Sequence, residues 1–218
     1  MAFSTEEKNF ICSVCGKESL HTVITETDPP AGVPDLDLRP AGESRKFMKY
    51  QVMECPHCGY CNSALNIPFY PDKKYLDSEE YRSCTGILTA NTDAQRLIKK
   101  ALVLAGNHSY KDAVKSWLSA AWLFDDDCDR PNAASCRRSA VRLMDDHPAA
   151  FKGDNNFKIL MADLLRRSGE FERVIREYEG EAFRSQIMTA IAFFEVQLAA
   201  QGDDEAHRAD EVPGVSAK

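Results

Sequence analysis

Residues 11–17 read ICSVCGK, and residues 54–60 read ECPHCGY. Each stretch holds two cysteines that are separated by two residues and followed by a glycine, an arrangement called a hook below. The four hook cysteines are Cys12, Cys15, Cys55 and Cys58. Structural zinc sites use four cysteine or histidine ligands in a tetrahedron, and a glycine after the second cysteine suits a tight turn at positive φ. The hooks therefore predict a structural Zn²⁺ site in a zinc ribbon.

Other roles for the hook cysteines are less consistent with the sequence. A disulfide framework needs an oxidising compartment, but the start MAFSTEEKNF has no apolar export segment, so we expect reduced thiols in the cytoplasm. A thioredoxin-like redox pair uses a single hook beside a βαβ unit. A catalytic zinc keeps one coordination position open, whereas four thiolates close the shell. A structural site is therefore the preferred interpretation.

Two residues near the second hook are further candidates for the metal. His57 lies between the hook cysteines, and its ring would have to fold back sharply to reach the same ion. Cys61 follows the hook at C-x-x-C spacing, although burial is the commoner fate of a free cysteine. The sequence leaves their contribution open and ranks both below the hook cysteines. The cysteines without partner spacing, expected to be core or surface thiols, are Cys84, Cys128 and Cys136.

About forty residues separate the hooks, and an antiparallel hairpin in this spacer would bring them face to face. Leu20–Thr25 and Phe47–Met53 are rich in β-branched and aromatic residues and predict its strands. Turn signals lie between them at Asp28-Pro29-Pro30 and Gly32-Val33-Pro34.

From Asn91 onward the apolar residues recur at helical spacing. Thr92 and Gln95 resemble a capping box that opens the first helix. The predicted helices run from Thr92 to Gly106, from Ser109 through Phe124, from Pro131 to before Pro148, and over Phe157–Ser168, Phe171–Tyr178 and Phe183–Ala200. The sequence thus predicts an α+β protein with a ribbon at 1–66, a connector at 67–90, a helical domain at 91–202 and a disordered tail at 203–218.

Two helix joints in the second half resemble one another. Tyr110, Ala113 and Trp117 follow Gly106 in the first, and Phe171, Val174 and Tyr178 follow Gly169 in the second. This pattern is typical of the joint inside a tetratricopeptide repeat, where stacked helical hairpins form a surface for a partner protein. The alternative is a helical bundle without repeats. We expect a tetratricopeptide-like stack.

The charge balance argues against nucleic acid as the main partner. The chain has a formal net charge of −7, and its first 70 residues contain six Lys or Arg against nine Asp or Glu. Nucleic-acid affinity comes mainly from Lys and Arg contacts to phosphate. The cluster Arg45–Lys49 is the basic patch of the ribbon, and a solvated strand edge is its preferred interpretation. No apolar run is long enough to span a bilayer, so no membrane partner is expected.

Residues 10–62 resemble a bacterial family known as domain of unknown function 2225. The matching stretches are the first hook and residues 50–60, which read YQVMECPHCGY; Asp35 and Asp37 occupy a spacer that is acidic in the family. Ser13 stands where the family usually has proline. The resemblance implies zinc binding, a tetratricopeptide-like C-terminal part and a bacterial cytoplasm, and it implies no reaction.

These observations predict a non-enzymatic zinc protein whose helical part contacts another protein. A nucleic-acid-binding ribbon and, less favoured, a metal-dependent enzyme are the alternatives. The enzyme is disfavoured because the sequence contains no HExxH motif and no phosphate-binding glycine loop, and its histidines outside the hooks are isolated. The partner and the oligomeric state are not determined by these residues.

Overall fold

A computed structural model describes residues 3–28, 32–69 and 73–215 of the chain. Its strands precede its long helices, which confirms the predicted α+β class with a helical C-terminal part. The strands are β1 (Phe3–Ile11), β2 (Glu18–Thr27), β3 (Met53–Glu54) and β4 (Cys61–Asn62). The helices are α1 (Glu79–Arg82), α2 (Thr92–Gly106), α3 (Tyr110–Asp126), α4 (Arg130–Asp146), α5 (Pro148–Phe151), α6 (Asn155–Arg167), α7 (Phe171–Tyr178) and α8 (Gln186–Ala200).

Each hook lies at the turn of its own hairpin, which differs from the predicted hairpin between the hooks. Strands β1 and β2 pair antiparallel from Phe3 opposite Thr27 to Ile11 opposite Glu18, so the first hook closes this ladder. Strands β3 and β4 pair antiparallel around the second hook. The N-terminal strand β1 was not predicted, because nearly all of its residues are exposed and it lacks an apolar face.

The predicted strand Phe47–Met53 is wrong over most of its length. Residues Gly42–Gln51 form a 3-10 helix, and strand pairing begins only at Met53. The aromatic residues that suggested a strand instead pack on β1, with the Phe3 ring centroid 5.0 Å from that of Phe47 and 5.9 Å from that of Tyr50. Tertiary packing has therefore overridden the local strand propensity.

The helical part follows the predicted boundaries closely. Helices α2, α3 and α4 pack successively on one another, and their short connections make neighbouring helices antiparallel. The N-cap of α2 differs from the prediction. The side chain of Asn91, rather than that of Thr92, accepts a hydrogen bond from the backbone N–H of Ala94 at 2.9 Å. The short helix α5 was not predicted. In the described part of the chain, no helix combines the length and apolar character needed to cross a bilayer.

The ribbon packs directly on the helical part. Strand β4 contacts α2, and the carboxylate of Glu54 accepts hydrogen bonds from Arg96 at 3.2 Å and Lys99 at 2.8 Å. Tyr81 of the predicted connector is buried in the same core, which continues from the hooks into the helices. The predicted segments 1–66, 67–90 and 91–202 therefore share one hydrophobic core.

The predicted disordered tail is wrong for residues 203–215, and residues 216–218 lie outside the described chain. Residues Ala209–Glu211 form a 3-10 helix, Arg208 forms a β-bridge with Asp35, and Val212 is buried. The polar composition of this segment predicts disorder. In the structure its backbone is instead hydrogen-bonded to the acidic spacer, and the N–H of Ala209 donates to the carbonyl of Pro34 at 2.9 Å. Of the predicted turn signals, Pro29 and Pro30 also lie outside the described residues.

Candidate metal centre

The two hooks have the same backbone geometry. In the first, the N–H of Cys12 donates to the carbonyl of Lys17 at 2.9 Å, and the N–H of Gly16 donates back to the carbonyl of Cys12 at 2.8 Å. The second hook repeats both bonds from Cys55 to Tyr60 and from Gly59 to Cys55 at 2.8 and 2.9 Å. Both glycines adopt a φ just above 70°, at 71° and 73°. This left-handed conformation explains why each hook ends in glycine.

The hooks bring their four sulfur atoms together. The Sγ atoms of Cys12 and Cys58 are 3.7 Å apart, and so are those of Cys15 and Cys55. All four Sγ atoms lie within 4.8 Å of one another. A tetrahedron with Zn–S bonds of about 2.3 Å has sulfur–sulfur edges of about 3.8 Å, whereas a disulfide requires about 2.05 Å. The cluster therefore fits a tetrahedral metal ion and excludes disulfides between the hooks in this structure.

Burial of the hook cysteines is uneven. Cys12 and Cys55 are buried and Cys15 and Cys58 are half-buried, so the cluster is covered by the protein on one side. Burial raises the pKa of the Cys12 and Cys58 thiols above the ordinary cysteine value. A divalent cation reverses this preference, because a coordinating thiol is deprotonated. At Cys15 burial also opposes ionisation, but hydrogen bonds from the Lys17 backbone and the other hook thiols outweigh it and lower the thiol pKa. A metal is therefore needed mainly to balance the charge of the Cys12 and Cys58 thiolates.

Tyr81 connects the second hook to the connector. Its hydroxyl donates to the carbonyl of Gly59 at 2.8 Å and accepts from the N–H of Cys61 at 3.0 Å. Burial raises the pKa of Tyr81, which keeps the hydroxyl protonated and able to donate. One side chain therefore satisfies two backbone groups directly after the Cys58 ligand. This role has no signal in the sequence, because Tyr81 is twenty-two residues from Gly59 and has no motif around it.

Ser13 makes two hydrogen bonds that a proline could not make. Its N–H donates to the carbonyl of Leu65 at 2.9 Å, and its Oγ donates to the carbonyl of Ile67 at 2.6 Å. The hydroxyl of Tyr60 donates to the same carbonyl of Ile67 at 2.9 Å. Proline has no N–H and no hydroxyl, so the serine ties the first hook to the segment that follows the second one.

The two competing candidates lie outside the sulfur cluster. His57 is exposed, and its Nε2 lies 3.4 Å from the carbonyl of Glu18. Cys61 is fully buried beside the carbonyl of Gly59, and burial raises its thiol pKa. Neither joins the group of residues that can share one ion. Cys84 and Cys136 are buried in the core, and Cys128 is exposed.

Comparisons of the chain with protein-family models, with curated proteins and with solved structures returned no match.

Proposed function

We propose that the four hook cysteines bind a structural Zn²⁺ ion and that the protein acts through binding rather than catalysis. The clustering of the four Sγ atoms within 4.8 Å of one another carries this proposal. Four thiolates fill the coordination shell of zinc and leave no position for a substrate or an activated water. Thiolate ligands select zinc over hard cations such as Mg²⁺. The reduced thiols suit the cytoplasm, and the resemblance of residues 10–62 to the bacterial family is part of this proposal.

Metal analysis tests the zinc assignment. The purified chain is expected to contain one zinc per molecule, and Cys12→Ser and Cys55→Ser should each reduce this content strongly. Cys128→Ser is the matched control, because Cys128 is exposed and outside the cluster. Removing zinc with a chelator should also lower the melting temperature, since binding energy in such sites is folding energy. Zinc content that is unaffected by the hook substitutions would contradict the proposal.

For the helical part we propose a tetratricopeptide-like stack that binds another protein. This proposal is supported by the two joints that resemble one another in sequence, which lie between α2 and α3 and between α6 and α7, with Trp117 of α3 and Tyr178 of α7 both buried. In repeats of this kind each hairpin buries its apolar face against the next one, and the terminal helix needs a polar outer face to remain soluble. Helix α8 departs from that rule.

Helix α8 exposes two large apolar side chains and no charged one, and its other exposed residues are Gln186, Gln197 and Ala200. Ile187 is 56% exposed and Phe193 is 60% exposed, whereas Glu195, the charged residue of this helix, is fully buried. An apolar helix face in contact with water indicates a surface that another molecule covers. Because the face has no charge in a chain of net charge −7, its partner is a protein with an apolar surface rather than a nucleic acid.

A matched pair of variants tests the protein-binding role. Proteins captured from the native host with the zinc-loaded chain are purified and their affinities measured by titration. Phe193→Gln should lower the affinity for the direct partner at least about tenfold, as expected for loss of an aromatic anchor. Leu88→Gln is the control, because Leu88 is 87% exposed but lies in the connector. Equal affinities of the two variants for every captured protein would refute the claim that α8 forms the binding surface.

Nucleic-acid binding is retained as the second candidate because of one observation. Lys49 Nζ lies 5.0 Å above the Tyr50 ring, and Phe3 packs on the neighbouring Phe47, so the predicted basic cluster has an aromatic wall. The surface depression beside this cluster is lined by Phe3 and Lys49, but also by Asp93 and Asp126, which repel phosphate. Salt-sensitive binding of single-stranded RNA that is lost in Lys49→Gln would favour this candidate over the first.

A further inference from the structure

Helix α8 presents a regular row of side chains on the side opposite its buried residues. The buried residues are Ala192, Glu195, Leu198 and Ala199. The row, called the α8 row below, consists of the exposed Gln186, Phe193, Gln197 and Ala200 and the half-buried Ala190. Its members are separated by four and three residues in alternation, which is the spacing of the seam along which two α-helices pack in a coiled coil. The rest of the chain leaves this seam open.

The α8 row carries no charge, although the chain is acidic. Its large apolar member is Phe193, which is 60% exposed and lies at the centre of the row. The charged residue of α8, Glu195, is fully buried on the other side. When two copies of one surface meet across a two-fold axis, a charge near the axis faces its own copy and is repelled. A row without charge avoids this penalty, which makes it compatible with a second copy of the same chain.

The charges near the α8 row lie at its two ends and differ in sign. Arg184 is exposed just before α8, and among the described residues it has neither an ion pair nor a hydrogen bond. Asp204 follows the end of α8; its side chain is 46% exposed, and its pair with Arg130 measures 3.6 Å. Asp203 and Glu205 flank it and keep this end negative despite Arg130. The helix dipole adds partial positive charge at the first end and negative charge at the second. Each end is therefore complementary to the opposite end of an identical helix.

An antiparallel pairing joins these opposite charges, whereas a parallel one does not. Arg184 lies nine residues before Phe193, and Asp204 lies eleven residues after it. With the two Phe193 side chains at the axis, the Arg184 of each copy therefore lies beside the acidic end of the other. A parallel pairing would place Arg184 against its own copy and align the two helix dipoles, which is unfavourable.

The size of the α8 row limits the strength of such a pairing. A helix of 15 residues is about 22 Å long and about 10 Å wide, so the contact covers a few hundred Å² of each copy. Stable complexes bury roughly 800 Å² per partner. One aromatic side chain from each copy lies at the centre of the contact, where binding energy is concentrated. These features predict a weak and reversible dimer.

We propose that the α8 row pairs with the same row of a second copy, antiparallel and across a two-fold axis at Phe193. This inference rests on the proposed role of α8 as a binding surface and names the molecule that covers it. The two Phe193 rings pack on one another, and the Arg184 guanidinium of each copy pairs with the Asp204 carboxylate of the other. The second copy then supplies the helix that a continuing stack of hairpins would place on α8.

Sedimentation velocity of the zinc-loaded full chain at increasing protein concentration tests this pairing. The dimer fraction should rise with concentration. Phe193→Gln should raise the dimer dissociation constant at least about tenfold. Leu88→Gln should leave it unchanged, because Leu88 is 87% exposed but lies in the connector.

A charge exchange tests the orientation of the two helices. Arg184→Glu and Asp204→Arg should each raise the dissociation constant at least about threefold, and the double variant should recover most of this loss. Both side chains are exposed, so the fold should tolerate the changes, and melting temperatures check this. The inference is overturned if the chain stays monomeric at every concentration, if Phe193→Gln leaves the dimer intact, or if the double variant restores nothing.

The proposed binding role of α8 fails independently of this inference. A monomeric chain whose affinity for a captured host protein still depends on Phe193 would show that a different protein covers α8, so that only the second copy is excluded. A monomeric chain without any dependence on Phe193 would exclude both.

Discussion

Replacing Tyr81 by phenylalanine removes one oxygen atom and two hydrogen bonds to the second hook. The hydroxyl donates to the carbonyl of Gly59 at 2.8 Å and accepts from the N–H of Cys61 at 3.0 Å, and both bonds are shielded from water. Phenylalanine fills nearly the same volume, so packing is preserved. The variant leaves the N–H of Cys61 without this partner, and the carbonyl of Gly59 keeps only the weak donor of the Cys61 thiol at 3.6 Å.

The expected loss of stability follows from these two groups. An unsatisfied buried polar group costs about 1–3 kcal/mol, so Tyr81→Phe should lower the free energy of unfolding by about 2–4 kcal/mol. In urea this corresponds to a midpoint lower by about 1 M. The measurement is urea unfolding of the zinc-loaded chain by circular dichroism. Zinc transfer to a chelator should also become faster, because the hook loses its anchor to α1.

Tyr75→Phe is the control for this substitution. The Tyr75 ring lies 5.8 Å from that of Tyr81, but among the described residues its hydroxyl is bonded to neither hook. We expect a change below about 0.5 kcal/mol, as for most substitutions that remove no buried partner. Equal stabilities of the two variants, with unchanged zinc transfer, would show that the connector does not support the metal site.

Three further predictions concern other parts of the chain. Asp37→Asn removes the carboxylate shared by an indole and two guanidinium groups and should cost about 3–5 kcal/mol, whereas Asp112→Asn, in an ion pair with Lys115 that is exposed on both sides, should cost below about 1 kcal/mol in thermal unfolding. Burial and neighbouring carboxylates raise the pKa of Glu195 to about 8; the folded state therefore holds a proton that the unfolded state releases, so stability should fall as pH rises from 5 to 8, and Glu195→Gln should reduce this slope. Ser13→Pro deletes both serine hydrogen bonds, to the carbonyls of Leu65 and Ile67, and should lower the free energy of unfolding by about 1 kcal/mol or more and the urea midpoint with it; an unchanged midpoint would show that the serine contacts are dispensable.

The helices and the hooks were predictable because their signals are local. Apolar spacing placed α2 and α7 within a residue or two of their observed bounds, since a helix satisfies its own backbone hydrogen bonds. Cysteine and glycine spacing defined both hooks, because each turn closes within six residues, as between Cys12 and Lys17. The four thiols of the cluster could therefore be named without any tertiary information.

The spacer was predicted poorly because its structure depends on distant partners. The aromatic residues of 42–51 pack on β1 and form a 3-10 helix rather than a strand. Asp37 reads as one acidic residue among several, yet it contacts Arg167, 130 positions away. The tail was expected to be disordered, and the spacer provides its partners through Pro34 and Asp35.

The sequence by itself determined the four thiols, the turns that hold them and the positions of the long helices, because these depend on spacing over a few residues. Only the tertiary structure decided that the four sulfur atoms meet, that Tyr81 supports the second hook, and that two arginines from distant segments share the buried carboxylate of Asp37. These features arise when the chain buries its apolar surface, and the burial brings together polar groups that then require partners. Their pairing is a property of the whole fold rather than of any short stretch of sequence.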